Sequence, residues 1–477
     1  MSTPPNWGQL FTTISSKKTV VVGDIMLDRF VHGSVNRISP EAPVPVLKWS
    51  HENLMPGGAA NVARNLARYG VGVTLIGVMG KDLGADQLRD TLAREPNIRL
   101  KAFIDPQRQT TVKTRFTSTG QQMLRVDHES PAPLNDKIYK RVLAAVETAL
   151  KSADALILSD YDKGMIDHSS AKAIITMARK AGVMVIADPK KTDPSVFSGV
   201  TVMTPNFNEL TQMTSLPLAK QDQIAHAAND VAIQNKIKSL LVTLGADGMM
   251  LVQPKKPNHH VSSLAQSVYD VSGAGDTVIA TLTAALAAGA SPEDATTLAN
   301  IAAGIVVGKS GTATTLPGEV LAATAPRHQL LEKDAKGMVK IWQDAGLKVG
   351  FTNGCFDLLH PGHLWLLEKA AATCDRLVVG LNSDASTRKL KGDGRPHQIE
   401  ERRAAVLSSL PMVDAVVIFD APTPARLIKS LSPDVLIKGG DYKAEEVVGR
   451  QTVIANGGKV VIVPTKPGFS TTRLGSS

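Results

Sequence analysis

A chain of 477 residues exceeds what one ordinary hydrophobic core supports, and at about 150 residues per domain it predicts two or three units. Hydrophobic residues at 43% and charged residues at 20% describe a soluble globular protein, while aromatic residues at only 4% argue against a base-stacking platform for nucleic acid. The formal net charge of +9 comes from Lys and Arg scattered along the chain rather than packed in runs, which suits small anionic ligands better than nucleic acid or a membrane surface.

The first ten residues are polar and contain proline, with no basic segment ahead of an apolar one, so they do not read as a signal peptide. Short β-branched runs at 19–22, 74–78, 155–158, 183–187 and 240–243 predict buried parallel strands, with helices such as 59–69 and 171–181 between them. That alternation predicts a layered α/β fold. Residues 30–34, 44–49 and 110–119 instead alternate apolar and polar at period two, the pattern of half-exposed antiparallel strands. They predict a small β-lid with one greasy face, which must cover a site or meet its copy; a homodimer through the lid follows. The longest apolar stretch, 278–290, contains Thr and Gly and falls short of the roughly 18 to 20 residues of a membrane span.

After residue 320 the pattern restarts. The expected division is a first domain at 1–320, a linker at 321–338 and a second, smaller α/β domain at 339–477. A helical stretch is predicted at 332–345 and strands at 348–352, 377–381, 413–418, 435–437 and 459–463. Only two cysteines occur, Cys355 and Cys374, so no disulfide framework exists and a reducing, cytoplasmic home is expected.

Two stretches carry chemistry. Gly273, Ala274 and Gly275 precede Asp276 at the start of a helical run, where free N–H groups and the helix dipole favour anionic oxygens beside a carboxylate able to take a hydroxyl proton. His360 and His363, in His-Pro-Gly-His, lie where a strand-loop-helix passage points a helix N-terminus at anions. Two histidines without a third ligand make zinc a poor fit, so no metal site of protein ligands is expected.

Together with Gly57, Gly58 and Asn61 at a helix start, the segment 270–276 resembles the motif regions of the ribokinase-like (PfkB) sugar kinases, in the right order over residues 1 to about 320. The resemblance implies Asp276 as the catalytic base. It implies sugar contacts at Asp24, Asp28, Gly57, Gly58 and Asn61, and an N-x-x-E pair, Asn206 and Glu209, organising Mg2+ and phosphate. It places ATP at Thr243, Gly245, Gly273, Ala274, Gly275 and Asn300, and admits a monovalent cation nearby. Asn36 and Arg37 in the lid, and Lys190 after Asp188 and Pro189, are candidates for a phosphate on the substrate. Thr277 stands where many members carry an aromatic or bulky residue.

Residues 351–363 resemble the cytidylyltransferase-like nucleotidyltransferases, with Thr352, Gly354, Phe356, Asp357, His360 and His363 matching their nucleotide-binding loop. By that resemblance Asp384 meets ribose or base, Lys391 bridges the phosphates, Arg403 sits on a helix beside the nucleotide, and Ser470, Thr471 and Thr472 cradle the β- and γ-phosphates. A kinase fused ahead of such a transferase is similar to the bacterial bifunctional enzymes that make ADP-heptose for lipopolysaccharide core. This implies phosphorylation of D-glycero-β-D-manno-heptose 7-phosphate, adenylylation of the 1-phosphate, and a separate phosphatase acting between the two steps. The residues alone leave open the same reactions on another sugar or polyol phosphate, with ATP or CTP, and a sugar-binding regulatory protein on a retired kinase fold.

Overall fold

The computed structural model describes residues 7–263, 268–324, 329–330, 332–344, 346–440 and 443–464. The chain divides into two compact units, Met1–Val320 and Leu321–Ser477.

The first unit is built on a nine-stranded sheet. Its first strand, Lys18–Gly23, is flanked in parallel by Gly72–Met79 on one side and Ala155–Ser159 on the other. From Ala155–Ser159 the sheet continues in parallel through Met184–Asp188, Val202–Met203 and Ser239–Thr243; only Met249–Val252 and His259–Val261 at that end run antiparallel. On one face Val20, Val22, Ile76, Leu156 and Leu158 pack under the helices Asp136–Leu150, His168–Lys180 and Gln221–Gln234. The helices Ala59–Arg68, Ala274–Ala287 and Pro292–Val306 pack together elsewhere in this unit. Strand interiors buried to this degree are worth about 1.5–3 kcal/mol per large aliphatic side chain. That is why β-branched runs flanked by polar turns read so clearly as strands.

The lid is a separate four-stranded sheet in the spatial order Pro45–Gly58, Ile25–Ile38, Thr111–Ser118, Gln121–His128. The expectation of antiparallel strands needs one correction. Ile25–Ile38 pairs with Thr111–Ser118 in parallel, because the chain leaves the lid after residue 58 and re-enters only after crossing the main sheet. The fourth strand, 121–128, is exposed along its whole length and had no buried face to reveal it.

In the second unit six parallel strands run in the order 329–330, Ala415–Phe419, Arg376–Asn382, Val349–Gly354, Val435–Gly439, Lys459–Val463. Alternate strand residues feed two cores. Val349, Phe351 and Val378 pack with Ala335, Val339 and Trp342, whereas Leu377, Val379 and Leu381 pack with Leu367, Ala404 and Leu407. A parallel sheet covered on both faces requires this, since successive side chains point to opposite sides. The span expected as linker holds the end of the helix Pro317–Thr324 and the first half of Glu332–Asp344, whose Ala335 belongs to the second unit's core. Among the described residues no helix is long and apolar enough to cross a membrane.

Candidate functional sites

In the first unit Asp276 sits in the first turn of the helix Ala274–Ala287, just past Gly273, whose φ of +78° turns the chain into the helix. A Cβ at Gly273 would lie 2.7 Å from Asn61 Nδ2, so glycine here permits both the turn and the approach of Asn61. Asn61 Nδ2 donates to Asp276 Oδ2 at 2.7 Å, and the Tyr161 hydroxyl donates to Oδ1. Burial pushes the Asp276 carboxyl up to about 6, against these two hydrogen bonds that favour its anion. A carboxylate poised there is a competent base near neutrality.

Asp28, on the lid strand, is buried and paired with Arg115 from the neighbouring strand. A Cβ at Gly57 would come within 2.3 Å of Asp28 Oδ2, so the glycine keeps this carboxylate reachable. Asp24 is different. Its carboxylate accepts the backbone N–H groups of Tyr161, Lys163 and Met165 at 2.9 to 3.1 Å. Asp24 thus holds the loop 161–165, and its Oδ1, which accepts one of the three, keeps an acceptor direction for the expected sugar contact. Asn36 and Arg37 are exposed near the far end of their strand, where Val35 pairs with Leu47 and Ile38 with Pro45. They are not among the cleft-lining residues.

A cleft of about 510 Å³ is lined by Lys113, Arg125, Tyr161, Lys163, Asp160, Asp188, Lys190, Asn206, Glu209, Thr243 and Gly275. Asn206 and Glu209 cap their helix reciprocally, Oδ1 accepting from Glu209 N and Oε2 accepting from Asn206 N, both at 2.9 Å. Lys190 Nζ donates to Glu209 Oε1 at 3.1 Å. Asp188 is buried, and burial together with the nearby Glu209, Asp276 and Asp160 holds its carboxyl well above the usual range; Asp160 is pushed up to about 6, mainly by burial. Gly58, with φ of +56°, precedes the helix carrying Asn61, and Gly245 opens a short 3-10 turn after Thr243. Asn300 is buried and donates to the Ser262 carbonyl at 2.8 Å. Tyr161, Lys113, Arg115 and Asp160 escaped the sequence reading. Lys113 and Arg115 share one face of a lid strand, a period-two signal that could have been read.

In the second unit His360 caps the helix Pro361–Ala371, its Nδ1 accepting from Gly362 N at 3.1 Å. The proton of the neutral ring is then on Nε2, a buried atom with no partner among the described residues and so free to donate to a ligand. The His363 ring stacks on His360 with centroids 3.8 Å apart and is flanked by Phe356 at 5.1 Å. Burial, then His360 and Lys391, pull His363 down to about 4, so it is neutral at pH 7. Lys391 lies in the last turn of the helix Asp384–Lys391 and depresses both imidazoles. Thr352 Oγ1, on the interior strand Val349–Gly354, is likewise buried without a partner among the described residues.

Asp357 accepts from Arg395 Nη1 at 2.7 Å and from His397 N at 2.6 Å, which hold its carboxyl below the usual range despite burial. Arg403, expected on a helix beside the nucleotide, is buried in the second unit. Its side chain is 1% exposed and donates to the carbonyls of Gln398, Cys355 and Asn382 and to Asp384 Oδ1, at 2.5 to 2.9 Å. It ties the segments around Cys355, Asn382–Asp384 and Gln398 together. Ser470, Thr471 and Thr472 lie outside the described residues. Among those described, no three of His, Cys, Asp or Glu converge as a metal site.

Comparison with known proteins gives the same division. Residues 16–318 match the pfkB family carbohydrate kinase model and residues 351–474 the cytidylyltransferase-like model. The bifunctional protein HldE of Rhodospirillum rubrum is 46% identical over 99% of this chain and 97% of its own, and that of Caulobacter vibrioides is 46% identical over 96% of each. In structure the first unit resembles phosphofructokinase-2 from Escherichia coli in complex with substrates and products, with TM-score 0.55 and 22% identity, covering 64% of this chain and 97% of that one. Arabidopsis thaliana ribokinase complexed with ribose and ATP gives TM-score 0.52 and 21% identity over 64% and 98%. These structural likenesses establish the ribokinase-like fold.

Proposed function

Since this chain belongs to the family of the bifunctional HldE proteins, a pfkB carbohydrate kinase joined to a cytidylyltransferase-like domain, we propose a division of labour in which Asp276 serves the first reaction and the His360–His363 pair the second. The chain is a two-activity enzyme of ADP-heptose synthesis. Its first unit phosphorylates D-glycero-β-D-manno-heptose 7-phosphate at C1, and its second transfers an adenylyl group from ATP to the heptose 1-phosphate. The observation that carries the assignment is that each unit holds its own phosphate-handling centre of distinct chemistry: a buried, doubly hydrogen-bonded carboxylate in one, and a stacked pair of imidazoles at a helix N-terminus in the other.

In the first reaction an Asp276 oxygen takes the proton of the anomeric hydroxyl while the anomeric oxygen bonds to the γ-phosphorus of ATP and the bond from that phosphorus to the β-phosphate oxygen breaks, releasing ADP. Asp28 and Asn61 position the sugar, and the cations Lys113 and Arg125 give the cleft an affinity for its phosphate. Mg2+ fits the acidic side of the cleft. Asp188 feels Glu209 and Asp160 there, and these carboxylates would hold the ion through ordered water; when bound, it would supply neutralisation of the transferring phosphates. In the second reaction the sugar 1-phosphate attacks the α-phosphorus and pyrophosphate leaves, with His360 Nε2 donating to the phosphate chain and Lys391 adding charge.

The lid exposes Ile38, Trp49, Met123, Leu124 and Val126 and leaves both sheet edges unpaired, which supports dimerisation through it. Neither unit carries a group assigned to phosphate-ester hydrolysis, so a separate phosphatase removes the 7-phosphate between the steps. Purified protein given heptose 7-phosphate, ATP and Mg2+ is therefore expected to stop at the bisphosphate, and a 7-specific phosphatase to restart it to ADP-heptose. Mass spectrometry of the products checks this; nucleotide sugar formed by the protein alone would overturn it.

A further inference from the structure

Among the described residues lining the kinase cleft, Tyr161 is the aromatic one. It follows the strand Ala155–Ser159, and its backbone is fixed from the other side of the loop by Asp24, whose carboxylate receives the N–H groups of residues 161, 163 and 165. Its ring lies under the Lys113 ammonium, 5.6 Å from the centroid, and its hydroxyl ends on Asp276 Oδ1. The segment is thus held at three points: by a buried acid, by a lid cation and by the reacting carboxylate. A phenol held this way is a built donor.

From this geometry we infer that Tyr161 is a positioning residue for the kinase step, holding the Asp276 carboxylate in its anionic form and in one orientation, with Asp24 fixing Tyr161 in turn. The inference rests on the reading of Asp276 as the base. Each carboxylate oxygen accepts along two directions. Asn61 occupies one on Oδ2 and Tyr161 one on Oδ1, which leaves one direction on each oxygen for the sugar hydroxyl. Neither donor need leave for substrate to bind. The charged and titratable groups facing Asp276 are Asp28 and Lys113 from the lid, Asp188 from the main sheet and Tyr161 itself. The two other acids both favour a protonated Asp276, and burial does too. Lys113, Asn61 and Tyr161 oppose them. Tyr161's own acidity is suppressed by burial and by Asp276, so it stays the donor through the working range of pH.

The test is the pH profile of kinase kcat/KM in Tyr161→Phe, which removes one oxygen and keeps the ring beneath Lys113. Because a hydrogen bond to a charged acceptor is equivalent to about one to two pH units, the acid limb is expected to move upward by that amount. The 7-phosphate of the substrate titrates near 6 itself, so the readout is the displacement between variants assayed on one substrate. Replacing Tyr161 by 3-fluorotyrosine, a stronger donor, is expected to move the limb the opposite way. Adenylyl transfer and the melting curve report an intact fold in both. An unmoved limb in Tyr161→Phe with normal melting would overturn the inference while leaving Asp276 as base. Full kinase activity in Asp276→Asn would instead sink the base assignment beneath it.

Discussion

Replacing Asp276 by Asn should inactivate the kinase and, at the same time, stabilise the first unit. Burial pushes the carboxyl up to about 6 in the folded protein, above the roughly 3.9 of a free aspartate, so holding its anion opposes folding. The sign follows from linkage. A carboxyl with a raised folded pKa leaves stability untouched below about 4, where both states hold the proton, and removes it progressively as pH climbs through 6. The full difference of roughly two pH units corresponds to about 3 kcal/mol above pH 7, and roughly half of that at pH 5. Asn removes the charge with nearly the same shape. Its amide oxygen can accept from Asn61 and its NH2 can donate to the Tyr161 hydroxyl, which rotates to accept, so neither bond need be lost.

Calorimetric melting of residues 1–320 at pH 7.5 and pH 5 measures the effect. The variant should melt several degrees higher at pH 7.5, on a scale of about 2 °C per kcal/mol for a domain of this size, and the gain should shrink by about half at pH 5. Phosphorylation of the sugar should fall by about 10² to 10⁴, the worth of a positioned base, while the full-length variant keeps adenylyl transfer. A variant less stable than the parent at pH 7.5, or equally stabilised at both pH values, would refute the argument that a buried anion is held here against its solvation.

His363→Ala should lower adenylyl transfer by about 10² or more, by analogy with removal of one preorganised donor, with kinase turnover unchanged on the same preparation. Because His363 stays neutral down to about pH 4, kcat/KM of the parent for adenylyl transfer should show no histidine limb between pH 6 and 8; such a limb, abolished in His363→Ala, would contradict the neutral ring. Arg403→Met should destabilise the second unit by about 3–5 kcal/mol, since it leaves Asp384 and three carbonyls without their buried donor, and melting of residues 321–477 reads that loss. Light scattering of residues 1–320 at micromolar concentration should give a dimer, and Trp49→Glu with Leu124→Glu on the exposed lid face should give a monomer; a parent that is already monomeric removes lid pairing.

Much of this was legible in the chain because local pattern and burial coincide. The parallel strands are short β-branched runs whose central residues are mostly buried, and the fused motifs sit on strand-to-helix turns that need Gly, Asp or His for local reasons. The lid was partly legible: its alternation gave three strands, but not the fully exposed fourth, nor the parallel pairing created by the chain's excursion through the main sheet. Site residues divided along a different line. Asp276, His360 and His363 were recognisable because their motifs are contiguous, and each motif contains the glycine or proline that sets the turn.

Tyr161 reaches Asp276 across 115 positions of sequence and Arg115 reaches Asp28 across 87, in combinations that only the folded sheet defines. Arg403 and Asp24 show the converse. Both stand where a motif suggests ligand contact, and both also hold loops, Asp24 by accepting three backbone N–H groups and Arg403 by donating to three carbonyls and Asp384, because a loop that must hold a phosphate needs its own carbonyls and N–H groups satisfied first. A motif residue thus reports that its neighbourhood binds; whether the side chain touches the ligand or holds the loop that does depends on how many buried backbone groups lie within its reach.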